Sequence, residues 1–226
     1  MGRNITLTAA DGFELGAYRA DPEGPARGGL VVIQEIFGVN VHIRDLCDRF
    51  AEVGYLAVAP AVYDRFEKDF QVGYEPDDMA AGRALKDKGN AAMDDVVADV
   101  EAARLVAAEA TGRTGITGFC WGGVVTWVAA CRLDFQAASS YYGGGILPYV
   151  EETPNCPTLL HFGEHDAGIP LADVAEIGKA HPACDIHIHD ADHGFHCDMR
   201  ASFSPHAAQV ASVHTFRLFD AHVATG

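Results

Sequence analysis

Gly118-Phe119-Cys120-Trp121-Gly122-Gly123 is the stretch that decides the fold. The apolar run Thr114 to Phe119 leads into it and a helical stretch leaves it at Gly122, so it reads as a tight strand-to-helix turn. Its spacing puts glycine two residues before and two residues after a nucleophile, with cysteine where serine usually stands. The nucleophile on such a turn has a strained backbone, and side chains two residues away on either side would clash, hence the glycines. The helix that follows points its free N–H groups and the positive end of its dipole at the sulfur, favouring a thiolate and, later, an oxyanion. Cys120 is therefore the candidate nucleophile, and a buried structural cysteine in a glycine-rich turn is the alternative.

Before the turn, strands and helices alternate. Ile5 to Thr8, the dipeptide Asp11-Gly12 and Phe13 to Tyr18 read as an antiparallel hairpin. Leu30-Val31-Val32-Ile33 is continuously apolar, as a strand buried on both faces of a parallel sheet must be. Gln34 to Asn40 follows at its carboxyl end, where such sheets bind ligands. There Glu35 is either a functional carboxylate or a solvated strand-end charge. Ile43, Leu46, Cys47 and Phe50 fall at helical spacing, and Leu56 to Ala59 is the next strand, which completes a βαβ unit. The segment 63–89 mixes charge, Gly73 and Pro76 with a short helical piece over 77–85, and reads as a lid or pocket wall carrying Arg83. An amphipathic helix is predicted over 90–110, with Met93, Val96, Val97, Val100 and Leu105 on one side.

After the turn, a helix over 124–132 leads to Ala137 to Tyr142 and then Gly143-Gly144-Gly145, a hinge rather than a phosphate loop because no Gly-Lys follows. Pro157 to Phe162 is a strand with Asp166 just past its end, and Cys184 to His189 is another with His193 just past its end. Helices are predicted over 171–180 and 205–222. The expected fold is one α/β domain, 1–226, with a mostly parallel central sheet, helices on both faces and an antiparallel N-terminal hairpin.

Composition agrees with such a domain: 226 residues, 49% hydrophobic and 21% charged. No apolar run is long enough to span a membrane and the N-terminus lacks the apolar core of a signal peptide, so the expected location is cytoplasmic, with no membrane partner. Six cysteines, at 47, 120, 131, 156, 184 and 197, form no CxxC pair, which points to reduced thiols. A formal net charge of −16 argues against nucleic acid and disfavours anionic substrates unless arginine is placed locally.

Cys120, Asp166 and His193 each follow a predicted strand, in the chain order nucleophile, acid, histidine of the α/β-hydrolase arrangement. The histidine carries a proton between sulfur, leaving group and water, and the carboxylate fixes its tautomer. Oxyanion donors are expected from the backbone N–H groups of Trp121 and Ile36. A zinc reading competes, since His187, His189, His193 and His196 crowd ten residues beside Cys197. It would leave the turn without a base. Asp190 and Asp192 are rival acids, but they are too near His193 in sequence to come from a separate strand end.

Four stretches, Gln34 to Asn40, Gly118 to Gly123, Gly163-Glu164-His165-Asp166 and His193-Gly194-Phe195, resemble those of the dienelactone hydrolase family, the carboxymethylenebutenolidases. The resemblance implies an α/β-hydrolase fold, a Cys120-His193-Asp166 triad, Glu35 beside the thiol governing its protonation, and no metal or organic cofactor. It also implies cleavage of an enol-lactone or related small ester. The family's dienelactone hydrolases hold the substrate carboxylate with two arginines. One of those positions, four residues after the triad histidine, is Cys197 here. Arg200 resembles the arginine of a broader branch, and Arg83 aligns loosely with the other.

The function expected is a cysteine hydrolase of small lactones or activated esters, acting through a thioester acyl-enzyme as a monomer or small homo-oligomer. Two alternatives stand beside it. One is a redox-sensing thiol protein on a hydrolase scaffold, for which Cys197 would have to reach Cys120 as resolving cysteine. The other is a hydrolase-fold binding module without turnover.

Overall fold

A computed structural model describes residues 2–109 and 111–225. The chain begins with the strands β1 (Arg3–Thr8), β2 (Glu14–Ala20) and β3 (Gly28–Ile33), then α1 (Val41–Glu52), β4 (Tyr55–Pro60), α2 (Pro76–Ala91) and α3 (Met93–Ala108). It continues with β5 (Thr114–Phe119), α4 (Trp121–Arg132), β6 (Ala137–Tyr141), β7 (Thr158–Gly163), α5 (Leu171–Ala180), β8 (Asp185–His189) and α6 (Pro205–His222). A single 3-10 turn, Leu147–Tyr149, which the sequence pattern does not announce, precedes β7.

All eight strands form one sheet in the order β1-β2-β4-β3-β5-β6-β7-β8. The hairpin β1–β2 is antiparallel and joins β4 antiparallel, while β4, β3 and β5 to β8 run parallel. Strands β3 to β7 are buried along their whole length, which is why they read as continuous apolar or small-residue runs rather than alternating ones. Helices cover both faces. On one side α1 and α6 meet through Phe50, whose ring is 5.6 Å from Phe216 and 6.4 Å from Phe219. α3 lies against β3 and β4 and contacts α4, which packs on β5 and β6. Because β3, β5, β6, β7 and β8 run in the same direction, Glu35, Cys120, Tyr142, Asp166 and His193 all emerge at one edge of the sheet.

Two helices differ from the sequence reading. The short piece expected over 77–85 is a helix of four turns, α2, and the one expected over 90–110 is interrupted at Ala92, where φ is −123° and ψ is 38°. Tertiary contacts explain the break. Trp121 Nε1 donates to Asn90 Oδ1 at 2.8 Å, which ties the end of α2 to the nucleophile turn, while Arg65 reaches from the segment after β4 to the fully buried Asp99 carboxylate of α3 with two 2.8 Å bonds. A two-pronged charged bond of this kind is among the stronger hydrogen-bonded links. One straight helix would serve only one of these attachments. Ala110, the expected end of the second helix, lies outside the described residues. Among the described residues no helix is long and apolar enough to cross a membrane.

Candidate active site

The turn after β5 carries the strain its sequence requires. Cys120 has φ 56° and ψ −119°, in the region that a residue with a side chain enters at a cost of about 1–3 kcal/mol. Packing holds it there. The Cys120 N–H donates to the Tyr141 carbonyl of β6 at 3.0 Å, and the Cys120 carbonyl accepts from Gly123 at 2.9 Å. A Cβ on Gly118 would lie 2.2 Å from the Gly122 carbonyl oxygen, and one on Gly122 would lie 2.4 Å from the Gln34 carbonyl oxygen. Both glycines are therefore there for closeness of backbone to backbone, and the second also sets β3 against the turn.

Asp166 and His193 come together from the ends of β7 and β8. His193 Nδ1 donates to Asp166 Oδ2 at 2.6 Å, and the other carboxylate oxygen accepts from the Gly168 N–H at 2.8 Å. The Asp166 side chain is 1% exposed, so this bond is made out of water. It fixes the ring and leaves Nε2 free for proton transfer. Burial opposes charge on His193, but the Asp166 bond and then the nearby Cys120 outweigh it and raise the imidazole to about 10. The sulfur and the ring share the cleft, although among the described residues no sulfur–imidazole hydrogen bond of ordinary geometry forms. Neither rival acid bonds His193. Asp190 bonds His165 at 2.7 Å on the surface, and Asp192 lines the cleft without bonding His193.

That cleft has a volume of about 700 Å³, and its wall includes Ile36, Cys120, Trp121, Asp166, His193, Arg83 and Arg200. Ile36 and Trp121, the expected oxyanion donors, thus stand at the same opening as the sulfur. Glu35 is set differently. Its carboxylate is 1% exposed, lies behind the wall, and faces Arg200 Nη1 at 3.6 Å. The resemblance implies a place for it beside the thiol; among the described residues neither Glu35 oxygen forms a hydrogen bond, and the positive group facing it is the Arg200 guanidinium.

The histidines that suggested zinc disperse. His189 Nε2 lies 3.0 Å from His161 Nδ1, His187 packs on His214 with ring centres 4.0 Å apart, His196 bonds Ser212 at 2.9 Å, and His193 belongs to Asp166. His187 and His189, two apart on β8, share one face beside His161, with ring centres 5.7 and 5.2 Å from it, whereas His193 and His196 belong to the turn after the strand. The resolving-cysteine reading fares no better. Cys197 is buried and donates to the Tyr74 hydroxyl at 3.3 Å, and burial, with Glu35 next, pushes its thiol up to about 11. Such a thiol supplies little thiolate at neutral pH.

The sequence profile described as the dienelactone hydrolase family matches residues 15–223. The chain belongs to the dienelactone hydrolase family. Among curated relatives, a Synechocystis sp. protein is 36% identical over 92% of each chain, and one from Escherichia coli strain K12 is 36% identical over 90% of this chain and 80% of its own. Both carry the name “Putative carboxymethylenebutenolidase”. The crystal structure of a Klebsiella pneumoniae protein named as a dienelactone hydrolase of the same standing superposes with a TM-score of 0.82 at 30% identity, covering 97% of this chain and 98% of that one. A dienelactone hydrolase-like phosphotriesterase, P91, at 18% identity and a TM-score of 0.78, shows the shared fold. Family membership makes the protein a hydrolase with the α/β-hydrolase architecture.

Two features in and around the site of this dienelactone hydrolase family member escape sequence reasoning. Lys86 lines the wall with Arg83, three residues earlier on α2. The spacing that puts both cations on one helix face was available, but an exposed lysine ordinarily reads as a solvated charge. Tyr142 sits against His193, ring centres 5.1 Å apart, with φ 38° and a buried hydroxyl that has no hydrogen-bond partner among the described residues. No local signal marks it, since a tyrosine at the end of a strand is common.

Proposed function

We propose that the protein hydrolyses small lactones or activated esters that carry a carboxylate, through a covalent thioester on Cys120. The observation that carries this reading is the strained Cys120 on its turn, opening into one cleft with a His193 already bonded to Asp166. In the first half-reaction the sulfur attacks the carbonyl carbon, the electron pair moves onto the carbonyl oxygen, and the Trp121 and Ile36 N–H groups hold that oxyanion. When the oxyanion collapses, the ring or ester C–O bond breaks and His193 delivers its proton to the leaving oxygen. In the second half-reaction water attacks the thioester, His193 takes the water proton, the C–S bond breaks, and the acid leaves as the sulfur takes back the proton that Glu35 accepted from it.

Glu35 enters this scheme through Arg200. A substrate carboxylate that draws Arg200 toward the cleft weakens the pairing of Arg200 with Glu35, and a released Glu35 is available as acceptor for the thiol proton.

The cations of the cleft supply the substrate test. Against the net charge of −16, Arg83, Lys86 and Arg200 gather at one opening. Arg83 makes no ion pair among the described residues. Arg83→Ala is expected to raise KM for a carboxylate-bearing dienelactone about three- to tenfold, since a solvent-screened charged contact is worth about 1 kcal/mol. KM for a neutral aryl ester should stay within about twofold of the parent. Equal effects on both substrates would contradict carboxylate recognition by Arg83. Arg200→Ala should affect both, because it also strips Glu35 of its counter-charge.

A further inference from the structure

Behind the cleft wall, three metal-ligand side chains converge: Glu35 after β3, His42 on α1 and Cys197 in the loop after β8. One ligand atom of each, a carboxylate oxygen, an imidazole nitrogen and the sulfur, lies within 4.8 Å of the other two. Glu35 and His42 are 1% exposed and Cys197 is fully buried. Neither oxygen of Glu35 and neither nitrogen of His42 has a hydrogen-bond partner among the described residues. Each buried polar atom left unpaired costs about 1–3 kcal/mol, so an unpaired Glu35 oxygen and an unpaired His42 nitrogen that converge beside the Cys197 sulfur mark a place that a bound group would satisfy. A water molecule could serve some of them, but a sulfur is a poor partner for it.

The donor set selects the group. Thiolate, imidazole and carboxylate together suit zinc and its divalent neighbours, whereas magnesium and calcium take oxygen ligands. We propose that Glu35, His42 and Cys197 bind a zinc-class divalent ion with a fourth coordination position open. The charges suit a buried site, because a doubly positive ion balances one thiolate and one carboxylate. The surroundings resemble an outer shell: Asp198 Oδ1 is 3.7 Å from His42 Nδ1, and the Tyr74 hydroxyl is 3.3 Å from the sulfur. Tyr74 accepts a bond from Asn40 Nδ2 at 3.2 Å, which leaves its own O–H free to donate to a thiolate. When the metal–sulfur bond forms, the thiol proton passes to solvent, so binding releases one proton and strengthens as pH rises. The ion also takes over from Arg200 as the counter-charge of Glu35. The inhibition of hydrolysis that follows rests on the proposed role of Glu35, whereas the binding itself does not.

The experiment uses the full reduced chain carrying Cys120→Ala, which removes the thiol that shares the cleft with His193, and its readout is metal binding rather than hydrolysis. Cobalt(II) is the probe. The site predicts one tightly bound cobalt per chain, a near-ultraviolet sulfur-to-cobalt charge-transfer band, and visible bands of tetrahedral intensity. Adding Cys197→Ser should abolish the near-ultraviolet band, and His42→Gln should keep the band while weakening affinity at least about tenfold in competition with a chromophoric chelator. Circular dichroism checks that each variant is folded. If Cys197→Ser does not fold, His42→Gln alone decides by its affinity. A Cys120→Ala protein with no charge-transfer band, a band that survives Cys197→Ser, or a His42→Gln variant that binds cobalt as tightly as its parent would each overturn the site.

Discussion

Cys120→Ala should lower kcat on the best small ester by between about three and six orders of magnitude, while leaving KM within a few fold. Alanine at position 120 keeps the turn and its two backbone bonds, but removes the sulfur that forms the acyl-enzyme. The residual rate is the one the oxyanion donors and binding supply to water alone, so the loss is bounded rather than complete. A stopped assay on the folded variant measures it. A rate within tenfold of the parent would remove Cys120 from the chemistry.

Asp166→Asn follows, with an expected loss of about four orders of magnitude in kcat and an intact fold. An amide can present its NH₂ group to His193 Nδ1, and the ring then adopts the tautomer that puts its proton on the wrong side. The pH dependence carries a second signature. His193 is raised to about 10, so in the parent the alkaline limb of kcat should fall as the pH passes that value and the leaving group loses its proton donor. Without the carboxylate the limb should move down by about one unit or more. Stability moves with the same sign. The raised pKa stabilises the folded state in full below the ordinary imidazole value of 6.5, and that contribution is lost as pH rises to about 10. The difference in Tm between parent and Asp166→Asn should therefore narrow across that window. An unshifted limb would transfer the acid role to Asp192, the other carboxylate of the cleft.

What could be read from the chain was local. The turn around Cys120, the strand ends before Asp166 and His193, and the apolar runs of β3, β5 and β7 each announce themselves within a few residues, through glycine spacing or the burial of both strand faces. The order of those elements was enough to place the three side chains at one sheet edge. What could not be read depends on contacts between distant segments. Glu35 faces Arg200 because the loop after β8 folds back over β3, and no pattern near residue 35 records it. The break at Ala92 arises from the Trp121–Asn90 bond, which outweighs a helical periodicity that runs through it. The four histidines near β8 looked like one cluster in sequence but divide in space, His187 and His189 staying together while His193 and His196 take other partners, whereas Glu35, His42 and Cys197 looked unrelated and converge. Lys86 was visible as a neighbour of Arg83, but only the cleft gives it a partner to act with.

The covalent step is tested most directly by catching the intermediate. His193→Gln, which removes the base that activates water, is mixed with a chromogenic ester, quenched in acid, and examined by intact mass and peptide mapping. The account predicts one acyl group per chain on the peptide containing Cys120, cleaved by hydroxylamine as a thioester is and absent from Cys120→Ala. An acyl group on any other side chain, or the same adduct in Cys120→Ala, would contradict it.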